Sequence, residues 1–470
     1  MRSAAIALVA ILSAPTLAHA RSQATVELVN VNAPGVGLND PTPVAPVGGN
    51  PGTTLGAQRL FALQHAAGIW ARNLKSDVPI RIQVSFDVRA CTPTAAVLAS
   101  AGALAVNSNF KRGERADTWY HSALANAVAK TDLEPTSDDL RAIFNINLGQ
   151  PTCLAGSPFY YGLDGNEGTG VDLVATALHE FAHGMGFSQF ASLSTGALFL
   201  GLPDIYNSQL FDQSIGKLWS QMTDAERVAS STNSRKVVWA GANVTAAVPS
   251  TLALGVPGLK INAPASIAGS YELGAASFGP ALTSPGVTGT VVLAQDAADA
   301  AGPSTTDACS AITNDVAGRI ALVDRGTCGF TIKVKNAQNA GAIGVIVADN
   351  APGSPPAGLG GADPTITIPS GRVTITDGAL IKAQLGAGVS ATLGVDLTRR
   401  AGASTSGHAL LNAPNPVVPG SSISHWDPIA SPNLLMEPAI NADLSHGLDL
   451  TKPLFEDLGW QIDKSNGNGL

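Results

Sequence analysis

Long apolar runs, charge and cysteine are all scarce in this sequence of 470 residues. Beyond the first twenty residues no apolar run reaches the ~20 residues that span a bilayer, so no membrane insertion is expected. Only 13% of residues are charged, the net charge is −8 and the pI is near 5.4. With no basic run, nucleic acid is excluded as an expected partner. The four cysteines include no Cys-x-x-Cys pair, which sets aside a Cys-rich zinc site. Histidine is also sparse, with eight copies, so any two at ligand spacing carry weight. What is abundant is 50 glycines and 30 prolines, which imply many loops and small-residue strands.

Residues 1–20 have the form of a signal peptide. Arg2 supplies the basic start, Ala4 to Leu12 the apolar core, and Ala18-His19-Ala20 the small-residue cleavage site. The expected product is exported, to the periplasm or the medium, and retains about 450 residues, enough for two or three domains. Four cysteines suit an oxidising compartment. Three pairings exist, and Cys91–Cys153 with Cys309–Cys328 is preferred because each pair stays within one expected domain.

Residues 179–187 read His-Glu-Phe-Ala-His-Gly-Met-Gly-Phe. On a helix, His179 and His183 project from one face a turn apart, the spacing that holds a zinc ion between two imidazoles. Glu180 is then placed to take a proton from water on that metal. Leu173, Val174, Ala177, Leu178, Phe181 and Ala182 mark the helix as buried, where unpaired polar groups are costly. Asp172 suits its start and Gly184 and Gly186 its end. Around it, Thr54 to Leu74 has helical periodicity and Pro79 to Val88 alternates as a strand. Ala123 to Ala129 and Leu140 to Asn147 give a further helix and strand. Residues 24–53, rich in Pro, Gly and Asn, read as an extended N-terminal segment. The fold class expected is α+β.

Between Ile267 and Val395 short β-rich runs alternate with Gly and Pro. Gly318-Arg-Ile-Ala-Leu-Val-Asp-Arg-Gly-Thr-Cys-Gly-Phe330, a helical stretch from Thr331 to Gly341, and the strand Ala342 to Asp349 follow in order. This region resembles the protease-associated (PA) domain, a non-catalytic α/β module carried by secreted peptidases and some receptors. The expected division is a signal peptide (1–20), a first catalytic part (21–264), a PA insert (265–399) and a second catalytic part (400–470).

A catalytic zinc needs a third protein ligand. The metzincin pattern His-Glu-x-x-His-x-x-Gly-x-x-His places it at residue 189, which is Gln189 here. Ser424-His-Trp-Asp427, followed by Leu434-Leu-Met-Glu-Pro438, resembles the leishmanolysin-like metallopeptidases, zincins whose third histidine follows a long insertion. That resemblance implies a zincin-like catalytic domain interrupted by the PA module. It also implies His425 as third ligand and Met436 as an apolar floor under the metal. A gluzincin-type site would use Glu226 instead, and His446 is another candidate. His65 and His121 read as packing or surface residues, and His408 has no recognisable setting. Asp427 either orients His425 or caps a turn.

The expected function is a zinc-dependent endopeptidase with one catalytic ion, acting on proteins or peptides through a metal-bound water and Glu180 as general base. A non-catalytic secreted binding protein with a degenerate zinc site is the rival, supported by Gln189. A calcium ion near Asp164, Asn166 and Asp172 is compatible with the sequence, and a Gly-rich turn into the helix explains those residues equally.

Overall fold

The computed structural model describes residues 23–464, and the signal-peptide segment lies outside them. The protein is mixed α/β. Strand β1 (Val26–Asn30) enters a four-stranded sheet and is followed by helix α1 (Leu55–Asn73). Thr54 caps α1 by accepting from Ala57 N, and its Leu63, Ala66, Ala67 and Trp70 are buried. Strand β2 (Ile80–Asp87) alternates, with Ile80, Ile82, Val84 and Phe86 all inward. Next come β3 (Ala99–Ala103), α2 (Ser122–Ala129), β4 (Leu140–Asn145) and α3 (Leu173–Met185). The sheet order is β1-β2-β4-β3. The first three are parallel, and β3 is an antiparallel edge strand hydrogen-bonded only to β4.

Helix α3 crosses this sheet closely. A Cβ on Gly184 would stand 2.3 Å from Leu140 Cδ1, so the residue after the second histidine has no room for a side chain. Trp70 Nε1 donates to Leu178 O and fixes α1 against α3. Helices α4 (Asp224–Ser230) and α5 (Ala242–Thr251) follow.

The chain then builds an eight-stranded sheet from β5 (Leu254–Ala263), β6 (Gly269–Tyr271), β7 (Gly274–Ala275), β8 (Val287–Leu293), β9 (Ile320–Asp324), β10 (Gly344–Ala348), β11 (Ser370–Val373) and β12 (Ser390–Arg400). Helix α6 (Phe330–Asn339) links the parallel strands β9 and β10, and α7 (Ile375–Gln384) leads from β11 into β12. Strand β5 lies ahead of residue 265, where the insert was expected to begin, yet pairs antiparallel with β12 from Leu254↔Arg400 to Ala263↔Ser390. The way out and the way back are thus zipped together, and Ala401 N donates to Ala253 O at the base. Such pairing lets some 150 residues loop out while the body keeps one core.

That body core joins both sides of the loop. Phe181 and Met185 share one buried cluster with Leu435, Met436, Phe455 and Trp460, the last two at helix α8 (Thr451–Leu458) and just beyond it. Trp70 stacks on Phe455 at 4.7 Å, and Trp460 Nε1 donates to Met185 O. Both disulfides, Cys91–Cys153 and Cys309–Cys328, are formed as preferred from sequence. No helix among the described residues is long and apolar enough to cross a membrane.

Candidate metal centre

Helix α3 starts on Asp172, whose Oδ1 accepts from Val174 N (2.7 Å) and Ala175 N (3.0 Å). It stops at Gly186, where φ is 150°, a value that disfavours any residue with a Cβ. Every residue of the helix is buried, so its histidines and glutamate lie within protein. The third histidine arrives on a different segment. His425 O accepts from Asn412 N, Trp426 N donates to Met436 O and Asp427 N to Leu410 O.

His179, His183 and His425 converge. Their Nε2 atoms are 3.0 Å apart for 179–183 and 3.2 Å for each pair with His425. Each Nδ1 faces a backbone carbonyl at 2.8 Å: Leu435 O for His179, Phe187 O for His183 and Ser421 O for His425. A carbonyl only accepts, so every Nδ1 carries the proton and every Nε2 presents a bare lone pair in the neutral ring. Burial keeps the rings neutral, lowering His179 to about 3, His183 to about 4 and His425 well below its ordinary value. Three lone pairs at this separation repel one another unless a cation lies among them. Nε2 atoms at ~2.0–2.1 Å from a tetrahedral zinc stand roughly 3.3 Å apart, close to the spacing here. The donor set therefore fits zinc, and the outer carbonyls fix ring orientation as in other zinc–histidine sites. Among the described residues this is the only group of three such side chains.

Glu180 shares the cavity. It is 6% exposed, its Oε2 has no hydrogen-bond partner, and burial lifts the carboxyl to about 8 against the opposing charge of Arg89. The cavity, about 440 Å³, is walled on one side by residues 96–101, including the start of edge strand β3, and on the other by Ser424, His425 and residues 437–440. Met436 is fully buried and ties its backbone to Trp426, next to His425.

The remaining candidates go elsewhere. Glu226 caps α4 by bonding Thr223 and pairs with Lys217, which removes it as a ligand. His446 meets the free oxygen of Asp172 (2.8 Å), with His65 beside it, at the far end of α3 from Gly186. His408 pairs with Ser406. Gln189 stays outside the cluster, its backbone N 3.4 Å from Ser424 Oγ. Asp427 caps Ile429 N and faces Arg235; the ring nitrogen of His425 that it was a candidate to orient belongs to Ser421. Asp164 and Asn166 form a turn closed by Tyr160, while Asp172 is a helix cap, so no calcium cluster forms there.

Three features of the site were not foreseen. The wall strand β3, Ala-Ser-Ala-Gly-Ala, has no alternating pattern to reveal it. Glu437 lies buried in the same cavity, accepting from Leu434 N and Asn441 Nδ2, and burial raises it to about 7. His121 is wholly buried and bonded to Ser188 Oγ, which in turn donates to His183 O.

Residues 287–381 match the PA domain family. Among curated proteins, the vacuolar-sorting receptor 2 of Arabidopsis thaliana is 34% identical over 148 residues, 29% of this chain and 24% of the receptor. The minor extracellular protease Vpr of Bacillus subtilis (strain 168) is 35% identical over 78 residues, 17% of this chain and 9% of the protease. Among solved structures, an aminopeptidase from Aneurinibacillus sp. strain AM-1 is similar with a TM-score of 0.23 and 30% identity, over 31% of each chain. This chain thus spans about a quarter or less of the curated relatives it matches. The class of protein that follows is one carrying a PA domain. None of these relatives supports the leishmanolysin-like resemblance expected from the sequence.

Proposed function

We propose that the chain is an exported zinc-dependent endopeptidase of zincin type, its catalytic body interrupted by an insert that runs from about residue 254 to 400 and holds the PA domain. The observation that carries this reading is the convergence of three bare imidazole nitrogens beside a buried, unpartnered Glu180. A structural zinc site closes its fourth position and has no use for such a carboxylate. The two disulfides fit an oxidising compartment. One similar protein is named an extracellular protease, which agrees with the reading over 17% of this chain.

His179, His183 and His425 would hold a zinc ion, which would supply Lewis-acid polarisation of a carbonyl and activation of water. The chain's own residues do the rest. Leu435 O, Phe187 O and Ser421 O hold the rings in the Nε2-inward orientation. With a cation beside it to favour its ionised form, Glu180 Oε2 would accept the proton of the attacking water and return it to the leaving amide nitrogen. Beside it, the outer edge of β3 offers unpaired backbone groups to an extended substrate by strand addition.

The rival binding-protein reading has Gln189 in its favour and leaves Glu180 without a role. The test compares cleavage of an unfolded protein by the zinc-loaded chain and its Glu180→Gln variant. We expect turnover to fall about 10²–10⁴-fold with metal content unchanged. Equal turnover by both removes Glu180 as base, and no cleavage by either moves the weight to the binding protein.

A further inference from the structure

A second cavity, remote from the three histidines, lies between the inserted sheet and the body. It measures about 740 Å³, within the usual range for ligand sites. Its lining includes four cations, Arg235, Lys236, Lys260 and Arg399, against two carboxylates, Glu272 and Asp396. In a chain of net charge −8 such a surplus of positive charge is local and unusual.

Two guanidiniums from different parts of the chain meet in this cavity. Arg235 from the body and Arg399 from β12 each bury an Nε atom with no hydrogen-bond partner. Arg235 Nε stands 3.4 Å from Asp427 Oδ2 and 3.6 Å from Glu272 Oε1, close enough for charge attraction and without a directed hydrogen bond. Elsewhere Arg59 donates to Gly37 O, Arg227 to Trp219 O and Arg372 to Ala357 O, while Arg89 Nε is likewise buried without a hydrogen-bond partner. Leaving a buried donor unmade is costly, and the Nε atoms of Arg235 and Arg399 repeat that cost in one cavity. Guanidinium forks match carboxylates two bonds at a time. Between them Val256, Leu397 and Leu410 give apolar wall, and the volume far exceeds one small anion.

We propose that this cavity binds a peptide segment bearing carboxylates, gripped by Arg235 and Arg399 with its apolar side chains against the wall. The site stands independently of the peptidase reading. It also reaches the metal centre, because Asp427, the partner that a bound carboxylate displaces from Arg235, lies two residues after His425.

The experiment titrates an N-acetylated pentapeptide of alternating glutamate and leucine into the zinc-loaded Glu180→Gln chain by calorimetry, with inorganic phosphate in a parallel arm. Saturable one-to-one binding is expected, weakened at least about tenfold by Arg399→Gln. Arg399→Lys, which keeps the charge and loses the fork, should also weaken it, and gives a second variant if the first misfolds. Absence of binding, or binding undiminished in both variants, overturns the proposal. Phosphate binding as tightly as the peptide overturns the peptide assignment and leaves an oxyanion site.

Discussion

Helix α3 in the body and helix α6 in the insert each pack on a sheet with parallel strands, and each buries ionisable side chains. They do so to opposite ends. On α6, Lys333 is completely buried, but its Nζ donates to Asp307 O, with Asp296 and Asp324 near enough to oppose the effect of burial. On α3, His179 and His183 satisfy their outer nitrogens and leave the inner ones facing each other, and Glu180 keeps an oxygen unbonded. A buried polar group that has found its partner holds a fold together. Buried polar atoms that share an empty direction have been kept for something that arrives later.

The largest test of that contrast removes a group from the convergent set. His425→Ala should lower zinc affinity by more than about 100-fold, the upper range for merely losing an outer hydrogen-bond partner of a ligand. Metal content after dialysis, read by elemental analysis, checks it. Unchanged retention would mean that the three nitrogens are not a ligand set. The mirror experiment, Lys333→Met, strands Asp307 O and should destabilise the protein by about 1–3 kcal/mol in denaturant melts. Zinc content and cleavage should stay as they were. Lost metal in this variant would erase the distinction between the two helices.

Packing gives a third test. Gly184→Ala drives a methyl to within 2.3 Å of Leu140 Cδ1. Overpacking of this kind costs about 1–3 kcal/mol and here would also shift His183, so a lower melting temperature should accompany weaker zinc binding. Stability lost with zinc affinity intact would show that strand β4 yields and the helix does not.

The sequence made part of this legible for physical reasons. The helix of His179 and His183 announces itself because the histidine spacing, capping Asp172 and terminal glycines all follow the helical period. The alternation of Ile80, Ile82, Val84 and Phe86 likewise requires a half-buried strand. The PA region was readable because its strand, turn and helix occur in order, and residues 287–381 match that family. Strand β1 hid within a Pro- and Gly-rich stretch, and β3 has almost no side chain with which to alternate. Ring orientation was out of reach altogether. It depends on the carbonyls of Leu435 and Ser421, and no pattern of side-chain types records where a distant carbonyl points. The cavity holding Arg235 and Arg399 exists only because two segments 164 residues apart meet.

The smallest expected effect lies at the capped end of α3, where one carboxylate does two jobs. Asp172 Oδ1 caps Val174 and Ala175, while Oδ2 meets His446 Nε2. Asp172→Ala loses both and should cost about 0.5–2 kcal/mol, the usual value of an N-cap. Asp172→Asn retains an oxygen for the cap and surrenders the negative charge, so the gap between the two variants isolates the cap. Because His446 is only 17% exposed and Asp172 6%, the pairing is partly shielded, yet a near-surface ion pair contributes at most about 1 kcal/mol. Asp172→Asn should therefore sit closer to the parent than to Asp172→Ala in denaturant melts at neutral pH. If Asn proves as damaging as Ala, the contact with His446 rather than the cap anchors this end of the helix.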